Sequence, residues 1–210
     1  MSTNPNLNPE VLVWEAVRKL DFPTLKGLLQ KFPAVDLNWS SSRWDDEPSS
    51  NDEALAAIHV VCTSKRGESL GCLKLLAEHP GADVNRRTPC GWTPLNLACA
   101  RGHPNLVHFL LSEFSALVSY SPTADTNWSP YWNAVRGDHV LILMLLSQHA
   151  AGRPERALDL EAVGRDYYDI LPWRTILGIA GPKCTKWLLR HKQRQLSHKQ
   201  VAAYVKRHLK

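Results

Sequence analysis

No stretch of the 210 residues reaches the roughly 18 uncharged apolar residues that a membrane span requires. The opening segment, Met1 to Pro9, is polar and lacks the basic-then-apolar pattern of a secretory signal. Cytoplasm or nucleus is therefore the expected compartment. Cysteine is sparse: Cys62, Cys72, Cys90, Cys99 and Cys184 are odd in number and include no C-x-x-C pair. That argues against a disulfide framework or a zinc site and for small buried hydrophobes in a reducing environment. Also missing are G-x-S-x-G, a glycine-rich phosphate loop, H-E-x-x-H and any Cys-rich metal spacing. An enzyme built on this chain is disfavoured, and no cofactor or metal is expected.

The last absence is local. Residues 170–210 contain ten Lys and Arg but no Asp or Glu, a net of +10, whereas residues 1–169 net −5. The overall excess of +5 thus belongs to the C-terminal end. With 44% apolar and 21% charged residues, the rest has material for a sizeable soluble core.

What the sequence does have is a repeat. Thr93-Pro94-Leu95-Asn96-Leu97-Ala98-Cys99 is followed by Arg101-Gly102-His103 and then Leu106-Val107-His108-Phe109-Leu110-Leu111. The order returns upstream in Ala57-Ile58-His59-Val60-Val61-Cys62, Gly67 and Cys72-Leu73-Lys74-Leu75-Leu76. Downstream it returns in Ser129-Pro130-Tyr131-Trp132-Asn133-Ala134, Arg136-Gly137-Asp138-His139 and Met144-Leu145-Leu146, at spacings of roughly 34–37 residues. Thr93-Pro94 reads as a capped helix start, Gly102 as a left-handed helix end, and Leu106, Val107, Leu110 and Leu111 as the apolar stripe of a second helix. Such a pair buries only one side by itself, so neighbours must stack on it. Weaker units flank the three. One is Trp14–Val17, Leu25–Leu29 and Val35-Asp36-Leu37-Asn38; the other is Leu171–Gly181 with Trp187-Leu188-Leu189.

Gly91-x-Thr93-Pro94-Leu95, Gly102-His103, Leu110-Leu111 and Gly81-Ala82-Asp83-Val84-Asn85 together resemble the ankyrin-repeat family. The resemblance implies an all-α solenoid of about five stacked helix-turn-helix units with degenerate terminal caps. It covers 1–192: a first repeat at about 11–38, an acidic polar loop at 39–53, repeats at 54–85, 86–118 and 119–152, and a degenerate C-terminal repeat with a long connection at 153–192. A basic helix or tail occupies 193–210. His59, His103 and His139 fall at or near slots where the family uses histidine structurally. Repeat four departs from the pattern, being one residue shorter before Gly137.

The family binds other proteins on a concave groove, and that is the function the resemblance implies here, with no catalysis. Residue by residue, the transfer puts Arg87, Trp92 and Arg101 of the central repeat on that surface, with Cys90 beside them. Trp128 and Arg136 follow in the next repeat, Lys65 and Arg66 lie upstream, and Arg18 belongs to the first. Trp and Arg are the types most enriched at binding hot spots. Trp92 and Trp128 precede the Thr-Pro and Ser-Pro helix starts and read as surface groups, whereas Trp14, Trp132, Trp173 and Trp187 read as packing residues. The partner is expected to be another protein and the chain a monomer. The alternative is contact of the basic end with a polyanion, either nucleic acid or an acidic membrane.

Overall fold

The computed structural model describes residues 8–40, 55–64, 70–114, 129–151 and 180–195. Among them are nine helices and no strand: α1 (Pro9–Lys19), α2 (Phe22–Lys31), α3 (Ala57–Thr63), α4 (Leu70–Ala77), α5 (Pro94–Arg101), α6 (Pro104–Ser112), α7 (Pro130–Arg136), α8 (Val140–Ala151) and α9 (Pro182–Gln195).

The central pair shows why these residues form these elements. Thr93 is extended, and its Oγ1 accepts the Asn96 N–H at 3.2 Å, satisfying a donor that the helix leaves unpaired. Pro94 sits where no donor is needed. Eight residues later Gly102 takes φ +77°, a left-handed turn that an L side chain resists, and α5 ends. His103 then opens α6, its carbonyl accepting the Val107 N–H at 3.1 Å. Leu106, Val107 and Leu110 are fully buried.

The helices stack in two layers. α1, α3, α5 and α7 pack in that order as an inner row, and α2, α4, α6 and α8 pack in that order as an outer row. α9 closes on α8. One continuous apolar core runs between the rows, from Val13 and Leu25 through Leu73, Leu95 and Leu110 to Tyr131, Leu146 and Leu188. Full burial of each such side chain is worth about 1.5–3 kcal/mol, so stability grows by stacking rather than within one pair. The described residues form an all-α helix-turn-helix solenoid.

Hydrogen bonds tie one unit to the next. Asn38 donates from Nδ2 to the Gly81 carbonyl at 2.9 Å, while its own Asx turn on Asp36 is repeated by Asn85 on Asp83. The His59 Nε2–H donates to the Arg86 carbonyl at 3.0 Å, and that of His103 to the Ser64 carbonyl at 2.9 Å. Both rings are buried, so the structural role expected for them holds. The His139 ring packs instead against Gly102 and Gly137, where any Cβ would collide with it.

Repeat four is not short. Ser129 caps α7 as Thr93 caps α5, with the Trp132 N–H on Oγ at 3.2 Å. Counted from that cap, the left-handed residue is Asp138, at φ +55°, and Gly137 is an ordinary residue at φ −82°. His139 then bonds back to Ala134, as His103 does to Ala98. The Arg-Gly pair before Asp138 imitates the Arg-Gly pair at Gly102 one position out of step.

Candidate functional site

The middle of the inner row is the most deeply buried part of it. Ala57 to Cys62 of α3 are buried throughout, as are Leu95, Ala98 and Cys99 of α5. The arginines of the row lie at the helix ends. Arg101 and Arg136 are the last residues of the neighbouring helices α5 and α7, and both are exposed. Arg18 is exposed in the last turn of α1, its guanidinium 5.9 Å from the Trp14 ring centroid. Registered on the bond that closes each helix (Asp21 to Ala16, His103 to Ala98, His139 to Ala134), Arg18 and Arg136 share one slot and Arg101 takes the next. Cations near a helix C-terminus are favoured by its dipole, so the sequence places them there at no structural cost.

α3, α5 and α7 contain neither Asp nor Glu. On α1, Glu15 pairs with Lys19 at 3.2 Å. The two carboxylates in the turns that follow, within three residues of Arg18 and Arg136, cap helices and remain ionised. Asp21 accepts the Thr24 hydroxyl at 2.7 Å and its N–H at 3.1 Å, and those bonds hold its carboxyl below the usual range. Asp138 accepts the Cys184 N–H at 2.8 Å and the Lys183 N–H at 3.4 Å, capping α9, and is lowered chiefly by the first.

Arg87 and Trp92 lie at the other end of α5. Its eight residues separate them from Arg101 by about 12 Å at 1.5 Å per residue. Here Thr88 closes a tight turn. Its N–H donates to the Trp92 carbonyl at 2.9 Å, its Oγ1 accepts the Trp92 N–H at 3.1 Å, and Gly91 supplies φ +83°. Arg87 is exposed and reaches the Gly91 carbonyl at 3.3 Å. Trp92 is half-buried, so it is less of a surface group than its slot suggests. The expected cluster therefore divides into Arg87 and Trp92 on one rim and Arg101 and Arg136 on the other. Lys65, Arg66 and Trp128 lie outside the described residues.

Three of the described thiols are poor nucleophiles. Burial pushes the Cys62 thiol up to about 12 and Cys99 well above the ordinary thiol range, the latter also by its proximity to Cys62. Cys184 is pushed up to about 12 by burial and then by the Asp138 charge. Such thiols stay protonated at neutral pH. Cys90 is the departure from the expected burial, being exposed in the turn beside Arg87.

Sequence reasoning missed two contacts. The Trp14 indole N–H donates to the Leu55 carbonyl at 3.1 Å, linking the first repeat to the second. Asp138 caps a helix more than forty positions away. Counting nine residues on from Ser129, as from Thr93 to Gly102, would have flagged Asp138; nothing local announces the Trp14 bond.

The two-layer stack, the Thr-Pro start and the Gly-His turn find their counterpart among known families. The model for ankyrin repeats (many copies) matches residues 56–111. These residues are ankyrin repeats. Protein phosphatase 1 regulatory subunit 27 of Homo sapiens is 43% identical over 58 residues, which is 28% of this chain and 35% of that protein. Tyrosine-protein kinase HTK16 of Hydra vulgaris is 28% identical over 143 residues, covering 64% of this chain and 18% of the kinase. SMC5-SMC6 complex localization factor protein 1 of Homo sapiens is 32% identical over 93 residues, covering 44% and 8%. The chain spans about a third or less of the length of these curated relatives. Ankyrin repeats are generally protein-interaction modules. No helix among the described residues is long and apolar enough to cross a membrane.

Proposed function

We propose that the chain is a non-catalytic interaction module that holds a partner protein along its inner row, using Arg18, Arg101 and Arg136 on one rim and Arg87 and Trp92 on the other. The observation that carries this is the row of exposed arginines ending α1, α5 and α7, in an inner row whose helices α3, α5 and α7 contain no acid. Arginine offers a planar fork suited to bidentate recognition, and it is among the residues that dominate interface energetics. The similarity to a protein named as a regulatory subunit fits a binding role rather than a catalytic one. The family's slots add Lys65, Arg66 and Trp128 to this proposal by sequence alone, since they lie outside the described residues.

The test is affinity capture from cell extract with wild type, an R101E/R136E variant and Trp92→Ala, each first confirmed folded by its melting curve. A set of proteins captured by wild type and lost on charge reversal supports the reading. Identical capture by wild type and R101E/R136E overturns it.

A further inference from the structure

We infer that the outer face of α8 and α9 docks on an anionic lipid surface, with Leu141 and Met144 entering the headgroup boundary and Lys186 and Arg190 facing lipid phosphates. This face belongs to the outer row, so the inference stands independently of the binding role proposed for the inner one.

The outer helices share one register. Leu25 bonds to Asp21 at 2.9 Å, Val107 to His103 at 3.1 Å, Leu143 to His139 at 3.1 Å and Thr185 to Gly181 at 2.9 Å. The residue after each of these donors is exposed: Lys26 in α2, His108 in α6, Met144 in α8 and Lys186 in α9. Of the four, α8 alone fills the slot with an apolar group. Three positions earlier on the same face, α6 has Asn105 and α9 has Lys183, whereas α8 has Leu141. Three large apolar side chains are exposed among the described residues, and Leu141 at 54% and Met144 at 40% are two of them. The third, Phe22, has its ring over Gly71, 3.0 Å from where a Cβ would stand.

Charge flanks this pair on one side. α9 packs on α8 and exposes Lys183, Lys186 and Arg190, and neither helix contains an acid. Asp138 is ionised beside Lys183 and offsets it. Lys186 and Arg190 stand about 4.5 and 10.5 Å further along the helix at 1.5 Å per residue. On the other flank of α8, the exposed Glu113 follows α6. Residues 196–210 continue the positive charge by sequence, with Lys199, Lys206, Arg207 and Lys210 and no acid. That charge makes them a poor cover for a face bordered by Lys186 and Arg190.

Aliphatic side chains beside cations suit a bilayer surface. Apolar groups enter the headgroup boundary there, and each Lys or Arg near anionic lipid strengthens binding about fivefold. A nucleic acid would leave Leu141 and Met144 against phosphate and water. A soluble protein partner typically buries roughly 800 Å² of a shaped surface. Here two aliphatic groups stand on a helix whose next outward residue, Gln148, is polar. Such contact needs no membrane-spanning helix.

The experiment is cosedimentation of the full chain with vesicles of phosphatidylcholine, alone or with about 30% phosphatidylserine, at about 0.1 M salt. Binding to the mixed vesicles is expected to exceed that to phosphatidylcholine alone by about tenfold or more. K186E/R190E should weaken it about tenfold or more and L141Q/M144Q about threefold or more, each with an unchanged melting temperature. Lys26→Glu, the same charge change in the same slot of α2, should cost less than about twofold. No binding to the mixed vesicles, or binding indifferent to K186E/R190E, overturns the inference. Binding that falls with K186E/R190E but is kept by L141Q/M144Q marks a general polyanion site and overturns it too. A melting temperature lowered by more than about 5 °C in L141Q/M144Q does the same, because the pair is then covered by chain outside the described residues. An acidic amphipathic peptide that binds more tightly than the vesicles, and is lost with both double variants, shows a protein site instead and also overturns it.

Discussion

The central repeat, α5–α6, and the first, α1–α2, reach the same geometry with different residues. In the central repeat the helix starts on Thr93-Pro94, turns on Gly102 at φ +77° and restarts on His103. In the first, the turn is Leu20 at φ +55°, and the restart is Asp21, whose side chain accepts the Thr24 N–H. Where the second repeat uses His59 to reach the next unit, the first uses the Trp14 indole. The architecture therefore asks for a left-handed residue, a cap and a ring N–H at fixed positions, and it tolerates several residues in each. Family motifs record the cheapest answers, and the first described unit meets the same demands with other residues.

The largest test of that comparison is in the core. Leu110→Ala should cost about 2–5 kcal/mol, because a fully buried leucine leaves a cavity between the rows. Leu25 is equally buried. Its loss, however, is limited to the free energy that holds the first unit on the array, since that unit can open by itself. Leu25→Ala is thus expected to accelerate hydrogen exchange in α1–α2 while leaving exchange in α5–α6 near wild type. Equal acceleration in both would show that the array unfolds as one block.

Next come the turns, where the two repeats should respond with opposite sign. Gly102→Ala places a Cβ at φ +77°, which costs about 1–2 kcal/mol, and drives it into the His139 ring. Leu20→Gly relieves the same left-handed penalty, for a gain of about 1 kcal/mol less what the half-buried leucine side chain contributes. Chemical denaturation midpoints read both. If Leu20→Gly destabilises as much as Gly102→Ala, the leucine is there for packing and the turn equivalence fails.

Much of this was legible in the sequence. Thr93-Pro94, Gly102 and the Leu106–Leu110 stripe carry their physics in residue type and spacing, and each does in the structure what that spacing implies. Asp138 was obscured by Gly137, because glycine beside an Arg looks like the turn residue when the cap-to-turn count is not made. The Trp14 bond joins parts of the chain forty-one positions apart, and no local pattern encodes such a pairing. The arginines of the candidate site were found through the family's slots. Their separation from Arg87 and Trp92 by the length of α5 needed coordinates. Of the basic helix or tail expected at 193–210, all but the three residues that end α9 falls outside the described residues.

Asp138 should give a smaller effect, one that depends on pH. Its carboxyl is held below the usual carboxylate range by the N–H groups it caps, so its stabilising contribution is complete above the unfolded value near 4. That contribution is lost as pH falls through the lower folded value. The gap in melting temperature between wild type and Asp138→Ala should be full at pH 7, begin to close below about pH 5, and nearly vanish in stronger acid. Asp138→Asn should be the milder change at neutral pH, since asparagine tolerates the left-handed turn and keeps an acceptor. A gap that stays constant from pH 7 to pH 3 would show that the side chain acts through its turn conformation and not through the cap.

The smallest effect lies on α2, where one slot is open among the described residues that is filled in the central unit. Counted from the turn, Gly27 occupies the slot of Phe109 in α6. Phe109 is buried, with the Lys74 ammonium of the preceding unit 5.6 Å from its ring centroid and Phe114 edge-on at 5.3 Å. Gly27 is exposed, and a Cβ added there would meet nothing within 4 Å among the described residues, since α2 is first in the outer row. A helix-interior glycine with ordinary backbone angles weakens its helix by roughly 0.5–1 kcal/mol relative to alanine. Gly27→Ala should therefore slow exchange in α2 by about that free energy and raise the melting temperature slightly or not at all. The converse change, Phe109→Gly, should behave like a core deletion. If Gly27→Ala destabilises instead, something outside the described residues packs closely on α2 at that slot.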